Sequence, residues 1–234
     1  MGRRTAAIAA MALVGSAVLA ALGQPAQAAE FDPCANTSKL RYTTGTARHL
    51  VFAISDGYAS NEVVVTECAK NGDAWKTVST TSGRAGANGF AEEGAKREGD
   101  GKSPTGSYLL SEAFGAENPG TSLPYRRLRG SGDCWGATPG RPGYNEYYSG
   151  TCRATDEDLS ALMRRGTYEQ GVVIDYNRPA PVGGHGSAIF FHVGGENPTA
   201  GCIAIPLPRL RTIMRTLAEG DRIIMGPRAA LFGP

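Results

Sequence analysis

His192 and Cys202 are the two residues in this chain whose types and spacing best suit chemistry. They lie in the stretch SAIFFHVGGENPTAGCIAIP, Ser187 to Pro206, where an apolar run ends in His192 and a loop of Gly and Pro leads to Cys202. An imidazole brought next to a thiol can accept its proton and hold the resulting ion pair, the minimum equipment for thiolate nucleophilic catalysis. The same stretch also fits a strand histidine and a buried or disulfide-bonded cysteine, so the remaining cysteines and the elements around the pair have to decide.

Five cysteines occur: Cys34, Cys68, Cys134, Cys152 and Cys202. An odd count leaves at least one thiol over, and five choices of the odd residue with three pairings of the remaining four leave the framework open. Pairing of chain neighbours, Cys34 with Cys68 and Cys134 with Cys152, is the simplest arrangement. Each bridge would contribute about 3 kcal/mol through loop-closure entropy. Cys202 is then the free thiol, and it is the one with a histidine nearby.

Disulfides require an oxidising compartment, and residues 1–28 look like an export signal. Arg3 and Arg4 supply a positive start, Ala6 to Leu22 a mostly apolar run, and Ala26-Gln27-Ala28 a small-x-small cleavage site. After cleavage no segment is apolar enough to span a bilayer, and a secreted or wall-associated location is expected. The chain has 24 Lys and Arg against 22 Asp and Glu. Arg3 and Arg4 account for the excess, so the mature chain is formally neutral and carries no basic signature for nucleic acid or a membrane surface.

The elements that must position the pair read mainly as β. Strands are predicted at His49 to Ile54 and Glu62 to Thr66, with a turn at Ser55-Asp56-Gly57, and at Trp75 to Val78, Tyr108 to Leu110, Val172 to Asp175, Ala188 to Val193 and Ile223 to Met225. Helices are predicted at Asp156 to Arg165, with Thr155 and Asp158 as a weak capping box, and at Leu207 to Ala218, with Leu207, Leu210, Ile213, Met214 and Leu217 on one face. The Gly-rich, charged stretch 82–107 reads as a solvated loop or one wall of a cleft. Its Gly101-Lys102-Ser103 lacks the earlier glycine of a phosphate loop, since that position is Lys96, which excludes nucleotide binding. Residues 115–153 form a long irregular stretch that a Cys134–Cys152 bridge would pin. The pattern fits a sandwich or open barrel with two short helices, preceded by a signal at 1–28 and an N-terminal extension at 29–50, with the catalytic domain at 51–234.

The strand SAIFFHV, the segment PTAGCIAIP, the helix after it and the upstream KREGDGKSPTG together resemble the L,D-transpeptidase (YkuD-like) catalytic domain of bacterial cell-wall enzymes, in a divergent branch of actinobacterial type. The resemblance implies a β-sandwich-like domain in which a cysteine attacks peptidoglycan stem peptides. Position by position, it makes Cys202 the nucleophile, His192 the base and Gly201 the residue that helps shape the oxyanion site, with Thr199 where the family has Ser or Thr. Two positions depart from it: the family's second histidine is Ala200 and its arginine after the cysteine is Ala204.

The implied reaction is a Cys202 thioester formed with release of D-Ala, then 3-3 cross-linking. Hydrolysis by an L,D-carboxypeptidase on the same scaffold is the alternative, and Ala200 and Ala204 also motivate a wall-binding protein with a decayed site. Lys96 and Arg97 are candidates to hold a substrate carboxylate, Tyr176 and Asn177 to border the cleft, and His185 to act as a second base or as part of a mobile turn. A zinc site from His185, His192 and Cys202 lacks a compact ligand spacing, so neither metal nor cofactor is expected. The expected partner is the peptidoglycan stem peptide, with no nucleic acid, and a monomer is expected.

Overall fold

The computed structural model describes residue 2 and residues 31–234. The expected signal segment, 1–28, therefore lies outside the described residues apart from Gly2. Asp32–Pro234 form one compact unit.

The strands are β1 (His49–Ser55), β2 (Glu62–Asn71), β3 (Ala74–Arg84), β4 (Phe90–Ala91), β5 (Ser103–Pro104), β6 (Gly106–Gly115), β7 (Tyr125–Arg127), β8 (Asp133–Trp135), β9 (Tyr147–Ser149) and β10 (Glu157–Asp158). After β10 come α1 (Leu159–Arg164), β11 (Gln170–Ile174), β12 (Phe190–Val193), β13 (Ile203–Ile205), α2 (Leu207–Met214), β14 (Arg222–Pro227) and α3 (Arg228–Leu231). The main sheet runs β11-β12-β13-β3-β2-β1-β14-β6-β7, and a further pairing of β11 with β6 closes it, leaving β7 as a short strand beside β6. The mainly β expectation holds, and the sheet is a closed barrel rather than an open one. Closure pairs β11 and β6 along edges that an open sheet would expose.

Alternation along the strands splits the apolar residues into two clusters. Val51, Ala53, Val65, Val172, Ile174, Phe191, Ile203, Ile205, Ile223 and Met225 pack together with Leu210, Ile213 and Met214 of α2. Phe114, Trp135, Leu159, Tyr168, Val173, Phe190 and Cys202 form a second cluster. On β12 neighbouring residues therefore serve different clusters, because successive side chains point to opposite faces of a strand.

Both neighbour disulfides are present, Cys34–Cys68 and Cys134–Cys152, and Cys202 is unpaired. The first ties the N-terminal segment to β2, and the second staples the excursion that carries β8 and β9. The predicted strands sit where expected and most run longer, β3 by seven residues beyond the predicted four, but β12 starts at Phe190 rather than Ala188 and β11 ends at Ile174 rather than Asp175.

The helices differ in detail. α1 starts at Leu159 and its cap is Asp158, whose side chain accepts from Ala161 N at 2.8 Å. Thr155 does not cap it, and Asp156 is drawn away by Ala137 N and the hydroxyls of Thr138 and Tyr148. α2 ends at Met214, and the chain to Leu217 tightens into i→i+3 bonds, Thr216 N to Ile213 O and Leu217 N to Met214 O, as helix ends commonly do. A third helix, α3, is a single turn that buries Leu231; four residues are too few to show a helical period in sequence.

Candidate active site

β12 holds His192 from both sides. It pairs antiparallel with β11, placing Gly171 opposite His192, and parallel with β13, placing Ala204 beside it. Gly171 is required there: a Cβ would lie 2.6 Å from the Phe114 ring, which itself packs edge-on against Phe190 at 5.0 Å. Tyr168 stands edge-on to both Phe190, at 5.5 Å, and His192, at 5.2 Å. The imidazole is thus clamped in an aromatic cluster and is 6 % exposed.

The turn that presents Cys202 is built by Thr199. Its hydroxyl accepts from Gly201 N at 3.0 Å and donates to Cys202 O at 2.7 Å, a local side-chain to backbone pattern that closes a tight turn. Gly201 has φ +155, and a Cβ on it would meet Lys102 O at 2.9 Å, so glycine is needed for both conformation and space. Behind the turn stands the 82–107 segment. Buried Ser103 donates to Gly201 O at 2.8 Å and accepts from Gly86 N at 2.9 Å. Asp100 orders the segment by accepting from Lys96 Nζ, Arg97 N and Lys102 N at 2.7–2.8 Å. Burial opposes ionisation of Asp100, but these hydrogen bonds outweigh it and hold the carboxyl below its ordinary value.

Cys202 and His192 line one cavity of about 420 Å³, together with Thr199, Gly201 and Lys96. Ala200 and Ala204, at the positions where the resemblance has a histidine and an arginine, also line it. No hydrogen bond joins His192 to Cys202 among the described residues. The Cys202 thiol donates to Ala188 O at 3.3 Å and accepts from Phe190 N at 3.3 Å. His192 Nδ1 lies 2.8 Å from Val193 O.

Both groups are held neutral. Burial pushes the Cys202 thiol up to about 12, opposed by the Phe190 N–H, reinforced by Glu157 and eased by Lys96. Burial pushes His192 down to about 4, against the pull of the Val193 and Thr167 carbonyls. Desolvation disfavours the charged form of each, so the resting pair is thiol and imidazole.

Residues 59–225 match the L,D-transpeptidase catalytic domain family (YkuD). The chain belongs to this family. Membership implies L,D-transpeptidase-type activity on peptidoglycan, and enzymes of the family act on the cell wall. Comparison with curated proteins returns no match. Among the described residues no helix is long and apolar enough to cross a membrane, and no group of three or more His, Cys, Asp or Glu is arranged to hold a metal ion.

The other candidate residues of the family site are distributed unevenly. Lys96 is buried and lines the cavity, but its ammonium is bonded to Asp100 and to Arg97 O. Arg97 is exposed and its guanidinium serves the carbonyls of Gly94 and Lys96. Tyr176 and Asn177 do not line the cavity; they hold the 182–186 turn, Tyr176 through His185 O and Asn177 through Val182 and Gly186. His185 belongs to that turn and is outside the cavity lining as well.

Glu98, Glu157 and Tyr168 do line the cavity and are absent from the sequence-derived set. Glu98 was legible, since it lies within KREGDGKSPTG. Glu157 falls inside the helix predicted at Asp156 to Arg165 and carries no signal of its own, and Tyr168 sits in a stretch with no pattern.

Proposed function

We propose that the chain is an exported L,D-transpeptidase in which Cys202 is the nucleophile and His192 its general base. The observation that carries this reading is that Cys202, the one unpaired cysteine among the described residues, shares its cavity with His192 while the other four are bonded to each other. The assignment of 1–28 as signal, 29–50 as extension and 51–234 as catalytic domain belongs to the same reading, as does action at the cell wall.

The resting pair is neutral, so proton transfer accompanies attack rather than preceding it. Stem peptide in the cavity displaces the Cys202 contact with Ala188 O, His192 takes the thiol proton, and sulfur attacks the carbonyl between the third stem residue and D-Ala. His192 then protonates the departing D-Ala amine, leaving a thioester. The Gly201 N–H is engaged by Thr199 Oγ1, whereas the Cys202 N–H has no side-chain partner among the described residues, which makes the latter the donor for the oxyanion. An amine of a neighbouring stem peptide resolves the thioester to a 3-3 cross-link; water resolves it to a tripeptide.

Incubation of the purified chain with disaccharide tetrapeptide, followed by intact mass, tests the reading. D-Ala release and a mass increment on Cys202 are expected, with both absent in Cys202→Ala. Unchanged processing by Cys202→Ala would overturn it.

A further inference from the structure

The cavity that holds Cys202 also holds two carboxylates that thiol acylation does not use. Glu157 comes from β10 and Glu98 from the segment between β4 and β5. Glu157 Oε2 accepts from Tyr168 Oη at 3.3 Å, and the same tyrosine ring packs against His192. Glu98 Oε2 accepts from Tyr144 Oη at 2.6 Å and Ser187 Oγ at 2.9 Å. Neither has a Lys or Arg partner among the described residues, since the nearby Lys96 is paired with Asp100. The other titratable groups lining the cavity are Lys96, whose ammonium is spent on Asp100 and Arg97 O, and Tyr168, His192 and Cys202. Two like charges in a partly desolvated cavity are matched by a cation, and the transpeptidation half of the reaction brings one: the ammonium group of the acceptor.

We propose that Glu157, backed by Glu98, binds the ammonium group of the incoming acceptor amine and takes its first proton before attack on the Cys202 thioester. This rests on the reading of Cys202 as nucleophile. Glu157 and Cys202 line the same cavity, and the charge of Glu157 raises the thiol, so an ammonium held at Glu157 shares the cavity with the thioester. Burial raises the Glu157 carboxyl, the Tyr168 hydrogen bond opposes it and the charge of Glu98 adds to it, so its proton affinity moves toward that of an amine. The step balances: R–NH3⁺ gives one proton to the Glu157 carboxylate, and R–NH2 attacks the thioester carbon. The C–N bond forms, the C–S bond breaks, and the second amine proton passes through His192 to the departing Cys202 sulfur. Ala200 and Ala204 offer no side chain for these tasks, and the carboxylates concentrate amine over water at the thioester.

The test separates acylation from transfer, with disaccharide tetrapeptide as donor and either a second tetrapeptide carrying a free side-chain amine or hydroxylamine, uncharged at pH 7, as acceptor. Glu157→Gln is expected to acylate Cys202 within about threefold of the unaltered chain and to keep transfer to hydroxylamine. Its transfer to the tetrapeptide amine is expected to fall about tenfold or more, shifting product toward hydrolysis. Glu98→Gln is expected to fall about threefold in amine transfer only. Tyr168→Phe, which keeps the carboxylate but frees it, is expected to lower amine transfer and spare hydroxylamine, and it carries the test if Glu157→Gln does not fold. An unchanged ratio of amine transfer to hydrolysis, or an equal loss with both acceptors, would overturn the assignment. Failure of the unaltered chain to acylate Cys202 would instead overturn the reading beneath it.

Discussion

Phe191 and His192 are adjacent on β12 and belong to two regions with opposite demands. Phe191 enters the cluster that packs with α2, where aliphatic side chains dominate and the chief requirement is volume. His192 enters the cavity beside Tyr168 and Cys202, where titratable groups are kept out of water. The first region tolerates no loss of bulk but holds no chemistry. The second holds groups whose burial costs stability at some pH values, a cost that the proposed role of the pair in proton transfer would account for.

The sharpest way to break this contrast is a pair of alanine variants. Cys202→Ala is expected to reduce turnover about a thousandfold or more, with unfolding free energy changed by about 1 kcal/mol. Phe191→Ala is expected to cost about 3–5 kcal/mol of stability, read by urea unfolding, as truncation of a fully buried aromatic does. If Cys202→Ala unfolds as readily as Phe191→Ala, the two regions are not distinct in kind.

Acid stability sharpens it next. A histidine lowered from 6.5 to about 4 by folding binds fewer protons folded than unfolded between those values. Stability is therefore full above about pH 6.5 and is lost as pH falls toward 4, by on the order of 3 kcal/mol. His192→Gln is expected to flatten that part of the stability profile measured by denaturant unfolding, and Phe191→Leu to leave it in place.

Ser103→Ala probes the support of the reactive turn. It leaves Gly86 N and Gly201 O without their partner and is expected to cost about 1–3 kcal/mol and to slow acylation. The smallest effect is kinetic. With the thiol raised to about 12, iodoacetamide should label the free protein slowly at pH 8, the rate rising with pH toward about 12. Rapid labelling that persists well below the ordinary thiol value would mean that the pair is ionised at rest.

Much of the fold was legible because its signals are local. The short apolar, β-branched runs at His49 to Ile54 and Glu62 to Thr66 read as strands wherever they lie, and Leu210, Ile213 and Met214 mark a buried helix face. Closure of the barrel was not, since the β6–β11 pairing joins residues about sixty positions apart and leaves no trace in either strand. Asp158 as cap in place of Thr155 depended on where Asp156 was pulled by Ala137, Thr138 and Tyr148.

The site divides along the same line. The motifs around His192 and Cys202 were enough to point to the family, and cysteine number with an export-like start to mark Cys202 as the candidate thiol, because residue type and order are properties of the chain. Only the tertiary structure decided what surrounds them: that Tyr176 and Asn177 hold a turn, that the Gly201 N–H is engaged by Thr199, and that Glu98, Glu157 and Tyr168 share the cavity. The physical reason is that proton affinity and reach depend on burial and on neighbours from distant segments, and a barrel brings together residues that the sequence keeps far apart.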